Sequence, residues 1–145
     1  ENTAVHNYGA GGTGLDFAVK TLSEVYIPES RRQIFIITIP HYFRRTWFDD
    51  DGVVLRAWQV KELVNINEYN NYYHFLHQYN ILNSFVGRNK IIWGTWDKDL
   101  PDEHFDIFFE RIDHTDDGLH PGPKSHKQYA DKLKEIIKER YESNG

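Results

Sequence analysis

The chain has 145 residues, with 17 Lys plus Arg and 22 Asp plus Glu, which gives a net charge of −5 when histidine is neutral. This length suits one domain with a sizeable core, so we expect residues 1–145 to form a single domain. The acidic balance argues against a nucleic-acid or anionic-membrane partner, and no apolar run approaches the roughly 18 residues of a membrane-spanning helix. The absence of cysteine excludes disulfide frameworks, thiol catalysis and cysteine-based zinc sites.

The first half of the chain predicts a tight turn, a helix and a strand. Four glycines occupy six positions from Gly9 to Gly14 after a short strand end, and such a run demands a tight backbone turn. Apolar residues then recur at helical spacing, so residues 14–25 are predicted to form a helix. Residues 33–39 are nearly continuous in apolar and β-branched side chains, as expected of a central strand covered on both faces. Residues 41–54 are predicted to form a loop.

The second half predicts further alternation of helices and strands. Residues 67–85 are predicted to form a long aromatic helix, followed by short strands at 90–93 and 105–109. Ser125 precedes Gln128 by three residues, which is a capping-box pattern, and an apolar stripe after it predicts a final helix. Strands that alternate with helices predict an α/β fold with a mainly parallel sheet. Sites in such sheets form at the carboxyl ends of the strands.

The loop before the final helix carries the most distinctive pair of side chains. Asp117 precedes His120 by three residues on a loop rich in Gly and Pro. The carboxylate can accept a hydrogen bond from one imidazole nitrogen and fix the tautomer, which leaves the other nitrogen as a general base near neutral pH. The competing interpretation is an ordinary acidic turn, because Asp-x-x-His pairs arise freely by chance.

The glycine-rich turn at residues 7–14 is the second candidate site. Its backbone N–H groups precede a predicted helix, so they could form a nest that holds developing negative charge. The glycine spacing does not follow the dinucleotide-binding pattern, which makes that function a weak competitor. A plain turn between a strand and a helix is the remaining alternative.

Together the two segments resemble the SGNH (GDSL-type) hydrolase superfamily. Asn7, Gly9 and Gly12 match the second sequence block of that family, and Asp117 with His120 matches its fifth block. The string from Asp117 onward looks like that of phage-encoded and environmental members. The resemblance implies a three-layer α/β/α, flavodoxin-like fold with a mainly parallel sheet.

The resemblance also implies roles for these residues. His120 would be the general base of an esterase, Asp117 would orient it, and the backbone N–H of Gly12 would belong to the oxyanion hole. Asn7 and Gly9 would lie in the substrate-binding block. The implied substrate is a small-molecule or carbohydrate ester, with no cofactor and no metal. A virion-associated or secreted location would accompany such a function.

Two family blocks have no match in the chain. The Gly-Asp-Ser block, which supplies the nucleophile on the first strand, is absent, so we expect this stretch to be the C-terminal portion of the domain. The strand and its serine would then lie in an N-terminal segment or a larger assembly. The block that supplies an oxyanion-hole Asn is also absent. His41 could donate in its place, and Arg44 could bind an anionic group of the substrate.

Other functions remain open from the residues alone. One alternative is a catalytically inactive SGNH-fold binding or structural domain, for instance of a virus particle. Another is a flavodoxin-like domain that binds a small molecule at the glycine turn. His114, His120 and His126 are spaced by six residues, which does not place them on one face of a regular element, so no metal site is predicted. His74 is predicted to be a packing or surface residue.

Overall fold

The computed structural model describes residues 4–9, 14–29, 33–39, 41, 46–48, 51, 54–55, 68–98 and 100–142. Its helices are α1 (Leu15–Val25), α2 (Glu68–Leu82) and α3 (Pro123–Ile137), and its strands are β1 (Phe35–Ile39), β2 (Trp47–Phe48), β3 (Val54–Leu55), β4 (Ile91–Thr95) and β5 (Ile107–Phe108). Three of the strands form a parallel sheet, so the described part of the chain is a mixed α/β fold. None of the described helices combines the length and apolar character needed to cross a membrane.

Contacts divide the chain into two compact units. The first unit comprises Glu1–Phe35 with His41–Ile91, and the second comprises Ile36–Pro40 with Ile92–Gly145. The first unit therefore holds α1, α2 and the β2–β3 pair, whereas the second holds most of the parallel sheet and α3. The glycine-rich turn and the Asp-x-x-His loop accordingly belong to different units.

The predicted first helix is confirmed. Helix α1 begins after Gly14, which is its N-cap, and two residues of the predicted stripe, Leu15 and Leu22, are buried. The helix ends where the Tyr26 backbone N–H donates to the Leu22 carbonyl at 3.0 Å. A short strand end was expected at residues 3–6, and residues 4–6, the described part of that segment, have no regular secondary structure.

The remainder of the first unit matches the prediction in part. Helix α2 is followed by a π-helical turn, Asn83–Gly87, and Gly87 adopts a φ of 97°, a region that favours glycine. The loop prediction for 41–54 was wrong in part, because β2 and β3 pair there as an antiparallel ladder with Trp47 opposite Leu55. Two-residue strands contain too little alternation for the sequence pattern to reveal them.

The sheet order corrects the predicted central strand. The order is β1-β4-β5, and every residue of β4 is buried, whereas burial alternates along β1 and Ile36 is exposed. Strand β4 is therefore the central strand of the described sheet, and β1 lies at its edge. The apolar run of β1 reflects the preference of β-branched side chains for strands rather than cover on both faces.

Helix α3 packs on the sheet through Tyr129. Its ring lies 4.9 Å from that of Phe109, and its hydroxyl is 2.6 Å from Thr38 Oγ1. A Cβ atom added at Gly94 in β4 would lie 2.1 Å from the Tyr129 hydroxyl, so the close approach of helix and strand requires a glycine there. Burial raises the pKa of Tyr129 and outweighs the opposing hydrogen bond to Thr38.

Candidate functional site: the loop before the last helix

The predicted catalytic pair lies on a narrow loop between β5 and α3. At the base of the loop, the Gly122 backbone N–H donates to the Asp113 carbonyl at 3.0 Å. Nearer the tip, the Thr115 N–H donates to the His120 carbonyl, also at 3.0 Å. These two backbone hydrogen bonds join the two arms of the loop, so the backbone between Thr115 and His120 has a defined conformation.

The side chain of Asp113 fastens the base of this loop to the first turn of α3. Its carboxylate accepts hydrogen bonds from the backbone N–H groups of Lys124, at 2.9 Å, and Ser125, at 2.7 Å. The Ser125 hydroxyl donates to the same carboxylate at 2.6 Å and accepts from the Ile112 N–H at 3.0 Å. Burial acts to raise the pKa of Asp113, but the hydrogen bonds from Ser125 and Lys124 outweigh it and the pKa is lowered.

The capping box predicted at Ser125 was therefore wrong. The N-cap residue is Gly122, Pro123 is the first helical residue, and Ser125 is fully buried with its hydroxyl directed to the loop. Free N–H groups of the first turn are satisfied by Asp113 instead of by a local side chain. A Cβ atom at Gly122 would lie 2.5 Å from Asp113 Oδ2, so a glycine there lets the carboxylate approach the helix.

Asp117 and His120 are in direct contact, as the sequence predicts. Asp117 Oδ2 lies 2.5 Å from His120 Nδ1. The other carboxylate oxygen, Oδ1, accepts from the backbone N–H groups of Leu119, at 2.8 Å, and His120, at 3.0 Å, and from the Thr115 hydroxyl, at 2.5 Å. Both oxygens are therefore engaged, and the carboxylate is held by its own loop.

These hydrogen bonds determine which nitrogen of His120 is available. They lower the pKa of Asp117 far below its ordinary range, and the largest contribution comes from the Thr115 hydroxyl, followed by the backbone and side chain of His120. An ionised carboxylate only accepts hydrogen bonds, so His120 Nδ1 carries the shared proton and the Nε2 atom of a neutral ring is an acceptor. The side chain of His120 is 71% exposed and no described residue bonds to its Nε2, so this atom is accessible from solvent.

Arg111 braces the same loop from outside. Its guanidinium donates to the Leu119 carbonyl at 2.6 Å and lies 3.3 Å from His114 Nδ1. Sequence reasoning missed both this residue and Thr115. The only local signal for Thr115 is a hydroxyl two residues before an Asp, a spacing at which short polar side chains form turns.

The other predicted site residues belong to the first unit or lie outside the described residues. In the first unit, the Asn7 Oδ1 atom accepts from the Gly9 backbone N–H at 2.9 Å, so the Asn side chain closes a local exposed turn. His41 is half-buried in the same unit. Gly12 and Arg44 lie outside the described residues.

None of the described serines has an exposed hydroxyl on the loop that carries Asp117 and His120. Ser23 donates to the Lys20 carbonyl at 2.6 Å within α1, and Ser84 belongs to the π-helical turn after α2. Ser125 has no exposed surface. Ser30 and Ser143 lie outside the described residues.

A second Asp–His pair, which sequence reasoning missed, joins two helices of the first unit. His74 Nε2 on α2 lies 2.6 Å from Asp16 Oδ1 in the first turn of α1. Asp16 Oδ2 also accepts from the Thr46 backbone N–H at 3.1 Å. The side chains of His74 and Asp16 are 22% and 18% exposed. Since 58 positions separate them along the chain, no spacing motif could have revealed this contact.

Two further findings bear on this site. Within the part of the chain that the structure describes, no three His, Asp or Glu side chains are grouped so that they could hold a metal ion. Comparisons of this chain with protein-family models, curated proteins and solved structures found no match.

Proposed function

We propose that the chain is part of an SGNH-type ester hydrolase and that Asp117 and His120 are its acid–base pair. The observation that carries this proposal is the 2.5 Å contact between Asp117 Oδ2 and His120 Nδ1, together with the 71% exposure of the His120 side chain. An exposed imidazole that is oriented by a carboxylate through Nδ1 is the arrangement a general base requires. The proposed substrate is a small-molecule or carbohydrate ester.

The proposed reaction is acyl transfer to a serine followed by hydrolysis. His120 Nε2 removes the hydroxyl proton as the serine oxygen attacks the ester carbonyl, and it then gives that proton to the departing alcohol. The same nitrogen removes a proton from water, whose oxygen attacks the acyl-serine, and it returns that proton to the serine. Throughout, the Asp117 carboxylate stabilises the imidazolium that forms.

The remaining predicted residues enter the proposal through the family resemblance. The backbone N–H of Gly12 would bind the oxyanion together with the backbone N–H of the serine, and His41 would be a further donor. Asn7, Gly9 and Arg44 would contact the substrate.

We place the nucleophilic serine outside the second unit. The sequence of that unit contains only Ser125 and Ser143. Ser125 is fully buried and its hydroxyl binds Asp113 and the Ile112 N–H, so it cannot reach a substrate. Ser143 follows a helical segment in the sequence, whereas the turn that exposes a nucleophile follows a strand.

The second candidate is a catalytically inactive SGNH-fold binding or structural domain, such as one of a virus particle. The environments of Ser23 and Ser125 favour it, because both hydroxyls donate hydrogen bonds to other groups of the protein. In that case the Asp117–His120 pair would stabilise the loop without chemistry.

A serine-directed probe tests the proposal. The product of the whole reading frame, including any segment upstream of Glu1, is treated with a fluorophosphonate, which labels only a serine activated by a base. We expect labelling of the native protein, at least about tenfold less in His120→Ala, and no loss in the control His114→Ala, which removes an exposed histidine of the same loop. Equal labelling of the native protein and His120→Ala would contradict the role of His120 as the base, and no labelling of either protein would support the inactive domain.

A further inference from the structure

We propose that Thr115 is a positioning residue that holds the Asp117 carboxylate in the orientation His120 requires. The effect on the geometry of the loop stands by itself, whereas the consequence for catalysis rests on the proposed function. Thr115 lies outside the sequence blocks through which the chain resembles hydrolases, and only the structure brings it to the pair.

Thr115 contacts both members of the pair. Its hydroxyl donates to Asp117 Oδ1 at 2.5 Å, and its backbone N–H donates to the His120 carbonyl at 3.0 Å. Its backbone carbonyl also accepts from the Gly118 N–H at 2.9 Å, which closes the turn that contains Asp117. Gly118 has a φ of 67°, so the turn is completed by a residue type suited to that conformation. Thr115 therefore holds both the backbone at the tip of the loop and the side chain of Asp117.

The Thr115 hydroxyl and the backbone N–H donors approach the Asp117 carboxylate from different sides. The N–H groups of Leu119 and His120 approach Asp117 Oδ1 from the chain that follows the carboxylate. The Thr115 hydroxyl approaches the same oxygen from the chain that precedes it. Donors on both sides oppose rotation of the carboxylate about χ2, a torsion that is otherwise broad for Asp. With Oδ1 held, Oδ2 remains directed at His120 Nδ1.

Loss of the hydroxyl should therefore change the electrostatics of Asp117 as well as its geometry. The Thr115 hydrogen bond is the largest single cause of the lowered Asp117 pKa. The other ionisable groups of the loop are Glu110, Asp113, His114, Asp116 and His120, with Arg111 bound to the Leu119 carbonyl. Substitutions at Thr115 leave all of these groups in place, so a change in the Asp117 titration reports the missing hydroxyl.

The test compares Thr115→Val, which keeps the shape and removes the hydroxyl, with Thr115→Ser, which retains a hydroxyl. Carbon-13 NMR of the carboxyl groups, with the Asp117 signal assigned by Asp117→Asn, gives the titration midpoint. We expect Thr115→Val to raise the Asp117 midpoint by about one unit or to bring it into the measurable range, and Thr115→Ser to restore it. The matched control is Thr38→Val, which removes the hydroxyl that contacts Tyr129 and should leave the Asp117 midpoint unchanged.

A second readout is the rate of ester hydrolysis by the whole protein. We expect Thr115→Val to lower kcat about tenfold with little change in KM, since a partly lost orienting contact affects the transition state more than substrate binding. Thr115→Ser should recover most of kcat. An Asp117 midpoint that is the same in native protein and Thr115→Val would overturn the inference. A wild-type protein without esterase activity, but with the expected NMR shift, would contradict only the proposed function and the catalytic part of the inference.

Discussion

The described residues include two Asp–His pairs, which differ in the elements that carry them and in the histidine nitrogen that makes the contact. Asp117 and His120 are three residues apart on one loop, are 46% and 71% exposed, and meet through Nδ1. Asp16 and His74 are on two helices, are 18% and 22% exposed, and meet through Nε2. The comparison shows that the same two side-chain types meet once on an exposed loop and once between two helices, in a more buried environment.

What separates the pairs is the exposure of the two imidazole rings and the hydrogen-bond partners of the two carboxylates. In the loop pair, all donors to Asp117 come from the same short loop, so the pair is preorganised, and the His120 side chain is largely exposed. In the helix pair, Asp16 also binds the Thr46 N–H, so its carboxylate joins α1 to α2 and to a third segment. We therefore propose a chemical role for the loop pair and a stabilising role in the first unit for the helix pair.

The largest expected difference is in catalysis. Asp117→Asn replaces the charged acceptor with an amide, which cannot stabilise an imidazolium and can favour the wrong tautomer of His120. We expect kcat for ester hydrolysis to fall by about 10³-fold or more. Asp16→Asn is the matched control and should keep kcat within about twofold of the native value. Similar rates for the two variants would remove the distinction between the pairs.

The Asp113–Ser125 contact at the base of the loop should contribute more to the free energy of unfolding than the Asp16–His74 pair does. Ser125→Ala removes a fully buried hydroxyl that donates to Asp113 and accepts from the Ile112 N–H, which leaves buried polar groups without partners. We expect the free energy of unfolding, measured with urea, to fall by about 1–3 kcal/mol. Ser23→Ala, at an exposed position of α1, should change it by less than about 0.5 kcal/mol. Equal effects of the two substitutions would show that the Asp113–Ser125 contact is not a structural clamp.

The helix pair should show the reverse phenotype of the loop pair. His74→Gln shortens the side chain that joins α2 to Asp16, so one hydrogen bond to a carboxylate is weakened or lost. We expect the free energy of unfolding to fall by about 1 kcal/mol, since the pair is partly shielded from solvent. Urea unfolding of His74→Gln and His74→Ala gives the value. An unchanged unfolding free energy in both variants would contradict a stabilising role.

The smallest effect is the pH dependence that Asp117 confers. Its folded-state pKa is lowered, mainly by the Thr115 hydrogen bond, below the unfolded value of about 3.9. The stabilisation is therefore complete above the unfolded pKa and declines as the pH falls from about 4 towards the folded pKa. Urea unfolding of the native protein and Asp117→Asn between about pH 6 and pH 2 measures it, and the stability difference should narrow in acid. Parallel curves over the whole range would contradict the prediction.

The sequence predicts the local features of this molecule better than its long-range ones. The Asp117–His120 contact is encoded within a single loop, and the extent of α1 follows from its apolar spacing, so both predictions were confirmed. The cap of α3 was mispredicted because the carboxylate that accepts hydrogen bonds from its first turn belongs to Asp113, which lies on the other side of the loop. The Asp16–His74 pair arises from packing of two helices, which no local pattern encodes.

The difference between local and long-range features also explains why the central strand of the sheet was mispredicted. Apolar runs marked both β1 and β4 as strands, yet only the sheet order shows that β4 is central among the described strands. A run of β-branched side chains reports strand preference, whereas burial on both faces depends on neighbours that come from elsewhere in the chain.

The most direct test of the central claim is a side-by-side measurement of p-nitrophenyl acetate hydrolysis by the native whole protein, His120→Gln and His74→Gln. Each substitution removes one imidazole from an Asp–His pair and introduces the same amide. We predict hydrolysis by the native protein, a loss of about 10³-fold or more in His120→Gln, and a rate within about twofold of native in His74→Gln. Retention of activity in His120→Gln with loss in His74→Gln, or no hydrolysis by the native protein, would contradict the account.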